Sequence, residues 1–433
     1  MPDWDSRPLA NQRARIRHLP SFSAIRVPLC ELARRDGRTS LKERRDHISG
    51  EHRGNSTSQH ITAQYITASH TTMLSAVRHF SSSAARSVTV SSTAPAITDS
   101  VSSLKVVVKN AGSRSAPAGL AHLLSASAFL DTTEKSGLRL KREAELLGGE
   151  YSASVTRDAL VLKATFLKDS LPFFVNSLAS TLADASFKPH ELVEVAGPYA
   201  SQVYATNASQ SGFKALEELH AVSYRSGLGL PLYYDGSKHY SIEEVKNLAK
   251  TAFKSENVEI IAENVNEADL KQFVAESKFA TLPTGNDVVQ PKQPTYTNAE
   301  SRMRQAGSTT AVIGFPVASA DAASYELVSA GLISSLSATT EVSNNTAQVE
   351  SKVLSYDGTS LFYVSITSNN AAEVASLIKK AKADLGSVDF SKFNKLASLL
   401  AGKEVPSKPV TVAKDYNLVV VGDVDAVPLK AEL

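Results

Sequence analysis

The apolar positions from about residue 90 onward follow two periods, one typical of strands and one typical of helices. The run LKVVVKN at 104–110 is rich in β-branched residues and predicts a strand. The segment APAGLAHLLSASAFL comes next and predicts a helix whose apolar side is formed by Leu120, Leu123, Leu124 and Phe129. A strand followed by a helix therefore opens the regular part of the chain.

Two helices enclose a pair of strands in the next section. LRLKREAELLGG predicts a helix that ends at Gly148 and Gly149, because a left-handed C-terminal cap favours a residue without Cβ. EYSASVT and ALVLKATFL predict two strands joined through Arg157 and Asp158. DSLPFFVNSLASTLADASF predicts a helix that tolerates Pro172 in its first turn. This α-β-β-α order favours an α+β fold with a mostly antiparallel sheet.

Helical spacing dominates the section around residue 200. One predicted helix, with a kink expected at Pro198, has an apolar stripe formed by Leu192, Val195, Tyr199 and Val203. SIEEVKNLAKTAF begins with Ser241 and Glu244 in the spacing of a capping box, and its apolar stripe consists of Val245, Leu248 and Ala252. NVEIIAEN then predicts a strand and EADLKQFVAESKF a helix.

A similar succession returns after a proline-rich segment. TLPTGNDVVQPKQPT at 281–295 carries three prolines and little periodicity, which is typical of a linker. Strands are predicted at TTAVIGF, SLFYVSIT and NLVVVGD. Helices are predicted from Asp321 and after Asn370, with inward positions Tyr325, Val328, Leu332 and Leu336, then Val374, Leu377, Ile378, Ala381 and Leu385. The recurrence predicts a duplicated domain, 91–282 and 297–433, joined by a linker at 283–296.

Residues 1–72 differ from the remainder in composition. They hold 12 Lys and Arg against 7 Asp and Glu, whereas the rest of the chain holds 34 against 37. The basic excess is therefore N-terminal, and nothing indicates a nucleic-acid-binding body. The single cysteine, Cys30, also lies there, so the body has no thiol for a disulfide or a thiolate metal site. We interpret 1–72 as a disordered or artefactual extension.

The segment that follows Met73 has the composition of a mitochondrial transit peptide. Arg78 and Arg86 lie among Ala, Ser, Leu and Val, and no acidic residue occurs between Glu51 and Asp99. We therefore predict a transit peptide at 73–90. No run of about 18 apolar residues occurs, so a transmembrane helix is not expected.

Several stretches resemble the pitrilysin-type (M16) metallopeptidase family, and within it the core subunits of the mitochondrial cytochrome bc1 complex. They include NAGSRSAPAGLAHLL, FLDTTEKSGLRLKREAELLGGEYSASVTRDALVLKATFLKDSLPFF, FKPHELVE, GLGLPLYY, AGSTTAVIGFPVAS and LVVVGDVDAVP. The resemblance spans roughly residues 100–433 and is most specific in the first half. It implies two homologous pitrilysin-like α+β domains.

The resemblance also implies where a zinc site lies in active relatives. Their inverted motif, His-x-x-Glu-His, corresponds to residues 122–126, and a glutamate some seventy to eighty residues later completes the ligands. Here His122 matches the first ligand, but Ser125 replaces the catalytic base and Ala126 replaces the second histidine. No acidic residue occurs between Glu194 and Glu217, where the third ligand is expected. One ligand of three cannot hold zinc, so the chain is predicted to have no metal, no cofactor and no peptidase activity.

The bc1-type resemblance implies a structural subunit of the respiratory chain. Such a subunit would lie peripherally on the matrix side of the inner membrane, pair with the core 1 subunit, and support cytochrome b, cytochrome c1 and the Rieske protein. An alternative from another class is the non-catalytic subunit of the mitochondrial processing peptidase. That subunit is expected to carry a glycine-rich loop, whereas GLISSLSATTEVSNNTAQ contains only Gly331.

Simpler roles are expected for most of the residues that could suggest chemistry. His122 is expected to be a helix histidine bound to a neighbour, and Ser125 lacks the orienting acid that a nucleophile–base pair needs. GLGLPLYY is expected to dock two aromatic rings, either within the fold or against a partner. A solvated helix face is expected from Lys379, Lys380 and Lys382.

Overall fold

The computed structural model describes residues 88–93, 100–285, 293–342, 347–387 and 415–433. The predicted extension at 1–72 and residues 73–87 of the predicted transit peptide lie outside the described residues, as do residues 286–292 of the predicted linker. None of the described helices is both long enough and apolar enough to cross a membrane.

Two five-stranded sheets organise the described residues, and both have the same topology. Sheet 1 has the order β1-β5-β2-β4-β3 and consists of β1 (Thr89–Ser92), β2 (Val101–Lys109), β3 (Glu150–Val155), β4 (Ala159–Leu167) and β5 (Val258–Glu263). Sheet 2 has the order β6-β10-β7-β9-β8 and consists of β6 (Glu300–Arg304), β7 (Thr309–Val317), β8 (Gln348–Tyr356), β9 (Thr359–Ser368) and β10 (Asn417–Gly422). Only β1–β5 and β6–β10 are parallel, so the predicted α+β fold with duplicated, mostly antiparallel domains is confirmed.

Three strands were not predicted from the sequence: β1, β6 and β8. Two of them, β1 and β6, are the equivalent short edge strands of the two sheets. β1 pairs in parallel with β5 from Thr89–Glu259 to Ser92–Ala262. The predicted boundary between transit peptide and domain, at 90/91, therefore falls inside a paired strand.

The helices follow the predicted order, with one addition. In the first half they are α1 (Leu120–Ala126), α2 (Gly137–Leu146), α3 (Leu171–Ala183), the single turn α4 (Pro189–Glu191), α5 (Gly197–Ala208), α6 (Ser211–Tyr224), α7 (Ile242–Ala252) and α8 (Glu267–Glu276). In the second half they are α9 (Ala322–Val342) and α10 (Ala371–Ser387). Helix α6 was not predicted. Helix α1 is shorter than predicted and leaves Phe129 outside it.

Local signals at two helix ends act as predicted. After α2, Gly148 has φ of +68°, and the N–H groups of Gly148 and Gly149 donate to the carbonyls of Glu145 and Ala144. This is a Schellman cap, which favours glycine in the left-handed conformation. At the start of α7, Ser241 and Glu244 form the reciprocal capping box.

The prediction that Leu192, Val195, Tyr199 and Val203 form one buried face is wrong. A π-helical turn at Leu192–Ala196 inserts extra backbone between α4 and α5. The buried face consequently passes through Leu192, Ala196 and Ala200. Val195 and Tyr199 are left 48% and 58% exposed. Pro198 lies in the first turn of α5, directly after this π-helical turn.

Helices cover both faces of sheet 2. α9 and α10 cover one face with the predicted inward residues, and Ala215, Leu219 and Tyr224 of α6 pack on the other. Gly314 of β7 makes this close packing possible, because a Cβ there would lie 2.7 Å from Cδ2 of Leu219. α6 precedes the linker in the chain, so the first half supplies a layer of the second.

Only part of the predicted lysine face on α10 is solvated. Lys379 is exposed. Lys382, however, is half-buried with its Nζ 4.0 Å from the ring centre of Tyr416, and Lys380 donates to the carbonyl of Ser335. Contact with neighbouring elements, which helical spacing does not report, accounts for the difference.

A polar junction connects the halves at Arg157, Glu217, His220 and Tyr356. Arg157, in the β3–β4 turn, donates to Oε1 of Glu217 at 2.5 Å and to the carbonyls of Leu228 and Leu230. His220 of α6 contacts the Tyr356 hydroxyl at 2.7 Å. The junction thus ties a turn of sheet 1 to α6, and α6 to sheet 2.

Candidate functional site

The three positions of the inverted zinc motif lie together beside a cavity of about 370 Å³. His122, Ser125 and Ala126 of α1 form one wall, and Tyr199 and Val203 of α5 form another. The edge strand β3 and Phe129 contribute to the remaining lining. The structure therefore brings the predicted motif positions next to the helix on which the third ligand was expected.

His122 is buried, and its imidazole is hydrogen-bonded, as predicted. Its Nδ1 accepts a hydrogen bond from the backbone N–H of Tyr234 at 3.2 Å, and the Tyr233 ring meets the imidazole edge-on at 4.6 Å between centroids. Burial lowers the pKa of His122 to about 4. The imidazole is consequently neutral at neutral pH. GLGLPLYY contributes these contacts through packing within the fold.

Ser125 and Ala126 leave the site without a base or a second imidazole. The Ser125 hydroxyl donates to the carbonyl of His122 within the same helix at 2.8 Å. This bond directs the hydroxyl to the backbone and not to the imidazole, so a serine–histidine pair is absent. The methyl side chain of Ala126 offers no donor or acceptor.

The opposite wall provides no carboxylate for a metal ion. Tyr199 and Val203 are the α5 residues that line the cavity. Glu191 is buried, but its Oε1 accepts the N–H of Asp131 at 3.3 Å. Within the part of the chain that the structure describes, no group of three His, Cys, Asp or Glu side chains could hold a metal ion. The residues present therefore do not fit the zinc that the family motif implies.

Aromatic packing, which the sequence did not predict, replaces metal chemistry in this region. Tyr151 of β3 stacks on Phe129 at 4.9 Å and shares a hydrogen bond with the Ser177 hydroxyl. Burial raises the pKa of Tyr151 to about 12, so the phenol stays protonated. The alternation in EYSASVT placed this strand but gave no signal for which ring Tyr151 would meet. The lining is thus suited to packing and not to proton transfer.

Two relatives match the chain over nearly their full length. The mitochondrial cytochrome b-c1 complex subunit 2 of Debaryomyces hansenii is 41% identical over 369 residues, which are 81% of this chain and 97% of that protein. The subunit of the same name from Saccharomyces cerevisiae is 39% identical over 378 residues, covering 83% of this chain and 100% of that protein. A probable alpha-2 subunit of the mitochondrial-processing peptidase from Arabidopsis thaliana matches less well, at 27% over 38% of its length.

The fold comparison agrees with the family comparison. The profile of the family described as Insulinase (Peptidase family M16) matches residues 89–236, a range that includes β1 and α1. A peptidase M16 inactive domain from Pseudomonas fluorescens is similar in structure, with a TM-score of 0.62 at 15% identity over 78% of this chain and 96% of that chain. A protease from Helicobacter pylori gives a TM-score of 0.63 at 14% identity over 78% and 98%. The chain therefore belongs to the family of mitochondrial cytochrome b-c1 complex subunit 2, with an M16 peptidase domain at residues 89–236, and is a non-catalytic member.

Proposed function

We propose that this chain is a structural subunit of the mitochondrial ubiquinol–cytochrome c reductase complex, required for its assembly and stability. The observation that carries the proposal is the 41% identity to a bc1 complex subunit 2 over 97% of that protein. The cavity beside α1 supports a non-catalytic role, because His122 has neither a second ligand nor a base beside it. The fold of a peptidase is retained here as a scaffold.

The proposed partners are the core 1 subunit, cytochrome b, cytochrome c1 and the Rieske protein, on the matrix side of the inner membrane. A surface suited to a protein partner supports this part of the proposal. Val193, Val195 and Tyr199 are 72%, 48% and 58% exposed, and no charged residue occurs from 195 to 213. Exposed aromatic and aliphatic side chains without charges are typical of the central part of protein interfaces.

Co-migration tests the proposal directly. The full chain, tagged at its C-terminus and expressed in place of the native copy, is solubilised with mild detergent and separated on a native gel. We expect it to migrate with cytochrome b in one large complex, and we expect its depletion to reduce that complex. Recovery of the chain only as a free soluble protein would contradict the proposal.

The processing-peptidase alternative is tested in the same extract. Relatives of that class align with less than half of this chain. In the region where a glycine-rich loop was expected, α9 continues through Gly331 to Val342. Loss of presequence cleavage on depletion, with the bc1 complex intact, would favour the alternative over the structural role.

We also propose that the transit peptide ends before Val88 and not at 90. Thr89–Ser92 is a paired strand, and Val88 and Val90 pack against the core of the first half. The equivalent place in sheet 2 is occupied by β6. Mass spectrometry of the mature N-terminus is expected to find residues 88–93 retained, and a terminus after Ser92 would contradict this assignment.

A further inference from the structure

His122 has a single ring lone pair, and the structure shows where it is used. A backbone N–H can only donate, so Nδ1 must accept from the Tyr234 N–H that lies 3.2 Å away. A neutral imidazole carries its one proton on the other nitrogen. The proton of His122 is therefore on Nε2. Among the residues that the structure describes, no acceptor bonds to this second nitrogen.

The surrounding contacts hold His122 and Tyr234 in this arrangement. Gly119, directly before α1, has φ of +78°, and a Cβ on it would lie 2.8 Å from the Cα of Tyr234. The Tyr240 hydroxyl donates to the carbonyl of Ala118 at 2.6 Å. The start of α1 is thus packed against the backbone at Tyr234, within residues 230–236, here called the tyrosine segment, and His122 is only 5% exposed.

We propose that His122 is an anchor for the tyrosine segment, and that this use has removed its remaining capacity to bind zinc. An imidazole ligates a metal ion through a lone pair. Zinc bound at Nε2 would require the ring proton to be on Nδ1. The Nδ1–H group and the N–H of Tyr234, both hydrogen-bond donors, would then face each other. Zinc at Nδ1 would displace that N–H. Restoring the two missing motif residues would therefore not restore the metal site.

Histidine-selective ¹⁵N NMR on the full chain tests the tautomer. The two ring nitrogens differ in their couplings to the ring C–H protons, and a protonated nitrogen differs in chemical shift from one with a lone pair. The His122 signals are identified by their loss in His122→Asn. We expect Nε2 protonated and Nδ1 unprotonated at neutral pH. A His122 signal with the proton on Nδ1 would overturn the proposal.

Amide hydrogen exchange tests the anchor. His122→Asn keeps an acceptor at the position of Nδ1, whereas His122→Leu keeps apolar volume without an acceptor. We expect the Tyr234 amide to exchange on the order of ten times faster in His122→Leu than in the natural protein, as for loss of one hydrogen bond. His122→Asn is expected to retain most of the protection. Equal exchange in His122→Leu and the natural protein would overturn the anchor role.

Metal content tests the consequence for zinc. The variant Ser125→Glu, Ala126→His, Val203→Glu restores the motif and places a carboxylate on the cavity-lining face of α5. After incubation with zinc and dialysis, we expect zinc content well under stoichiometric. Near-stoichiometric zinc would overturn the proposal. If this variant fails to fold, the tautomer and exchange measurements still decide it.

Discussion

The two sheets share one topology but differ on one face. In sheet 2 that face carries Val312, Leu361 and Val419, and α6 covers it. In sheet 1 the same face carries Lys105, Lys163 and Glu259, which remain partly exposed. Side chains there pair by charge, as Lys105 does with Glu263 at 2.6 Å and Lys109 with Glu259 at 2.9 Å. The duplicated fold thus has one sheet with a single buried face and one sheet buried on both.

The difference shows that the two halves are not interchangeable. The helix that covers sheet 2 belongs to the first half of the chain, so the second half depends on the first for its burial. Among the described residues, no helix lies across the charged face of sheet 1, and the composition of that face suits water or a polar partner.

The largest effect is expected from Arg157→Met at the junction. Arg157 is buried, and its loss removes the donor to Oε1 of Glu217 and to the carbonyls of Leu228 and Leu230, while Oε2 of Glu217 keeps the N–H of Leu232. Removing one partner of a buried ion pair costs about 3–5 kcal/mol. We therefore expect a large fall in the urea midpoint of the full chain. The control is Arg304→Met, because the Arg304–Asp425 pair is exposed and such pairs contribute about 0–1 kcal/mol. Similar losses in the two variants would mean that the junction does not hold the halves together.

The second-largest loss of stability is expected from a substitution where α6 packs on sheet 2. Leu219 is fully buried, and Leu219→Ala leaves a cavity beside Gly314 and Val312. A buried Leu→Ala substitution costs about 2–5 kcal/mol. Val161→Ala, on the partly exposed face of sheet 1, is the matched control and is expected to cost about 1 kcal/mol or less. An equal cost at both sites would contradict the difference between the two faces.

Sequence periodicity predicted the helices and strands whose apolar side chains all face one core. All nine predicted inward residues of α9 and α10, for example, are buried in the core of the second half. It failed at α5, because a π-helical turn changes the phase of the pattern without any residue type that signals it. It also missed β1 and β6, since these short edge strands are too brief for an alternation to stand out.

The sequence predicted which catalytic and metal-binding residues the candidate site lacks, but not which contacts its residues make. The identities of Ser125 and Ala126 were enough to predict that base and second ligand are missing. The partner of His122, however, lies 112 residues away, at Tyr234. Only the folded chain brings these two residues together, so residue types and local spacing could not have predicted the hydrogen bond.

Acid is expected to destabilise the first half through His122. The pKa of His122 falls from 6.5 to about 4 on folding, so the unfolded chain binds more protons between these values. The contribution of His122 to the free energy of unfolding is complete above pH 6.5. This contribution falls by about 3 kcal/mol as the pH falls toward 4. Burial and the charge of Arg157 also lower the pKa of His220, so the junction responds in the same direction.

Thermal melts of the natural protein and His122→Asn from pH 7.5 to pH 4 separate the two histidines. Between pH 7.5 and pH 4, His122→Asn is expected to lose less stability than the natural protein. The dependence of its melting temperature on pH that remains is then due to His220 and the other titrating groups. His220→Asn is the matched control at the junction. If the melting temperature depends on pH equally in His122→Asn and in the natural protein, the His122 imidazole is not buried as described.

The smallest effect is expected from helix caps, and it tests whether the halves unfold together. Ser241 Oγ accepts the N–H of Glu244 at the start of α7, and Asn370 Oδ1 accepts the N–H of Ala372 at the start of α10. Ser241→Ala and Asn370→Ala are each expected to cost about 1 kcal/mol. If α6 and the junction couple the halves, the most protected amides of both sheets should exchange about fivefold faster in either variant. Faster exchange of sheet 1 alone in Ser241→Ala would mean that the halves open separately. The shared helix α6 would then be a contact surface between two independent domains and not the element that makes them one folding unit.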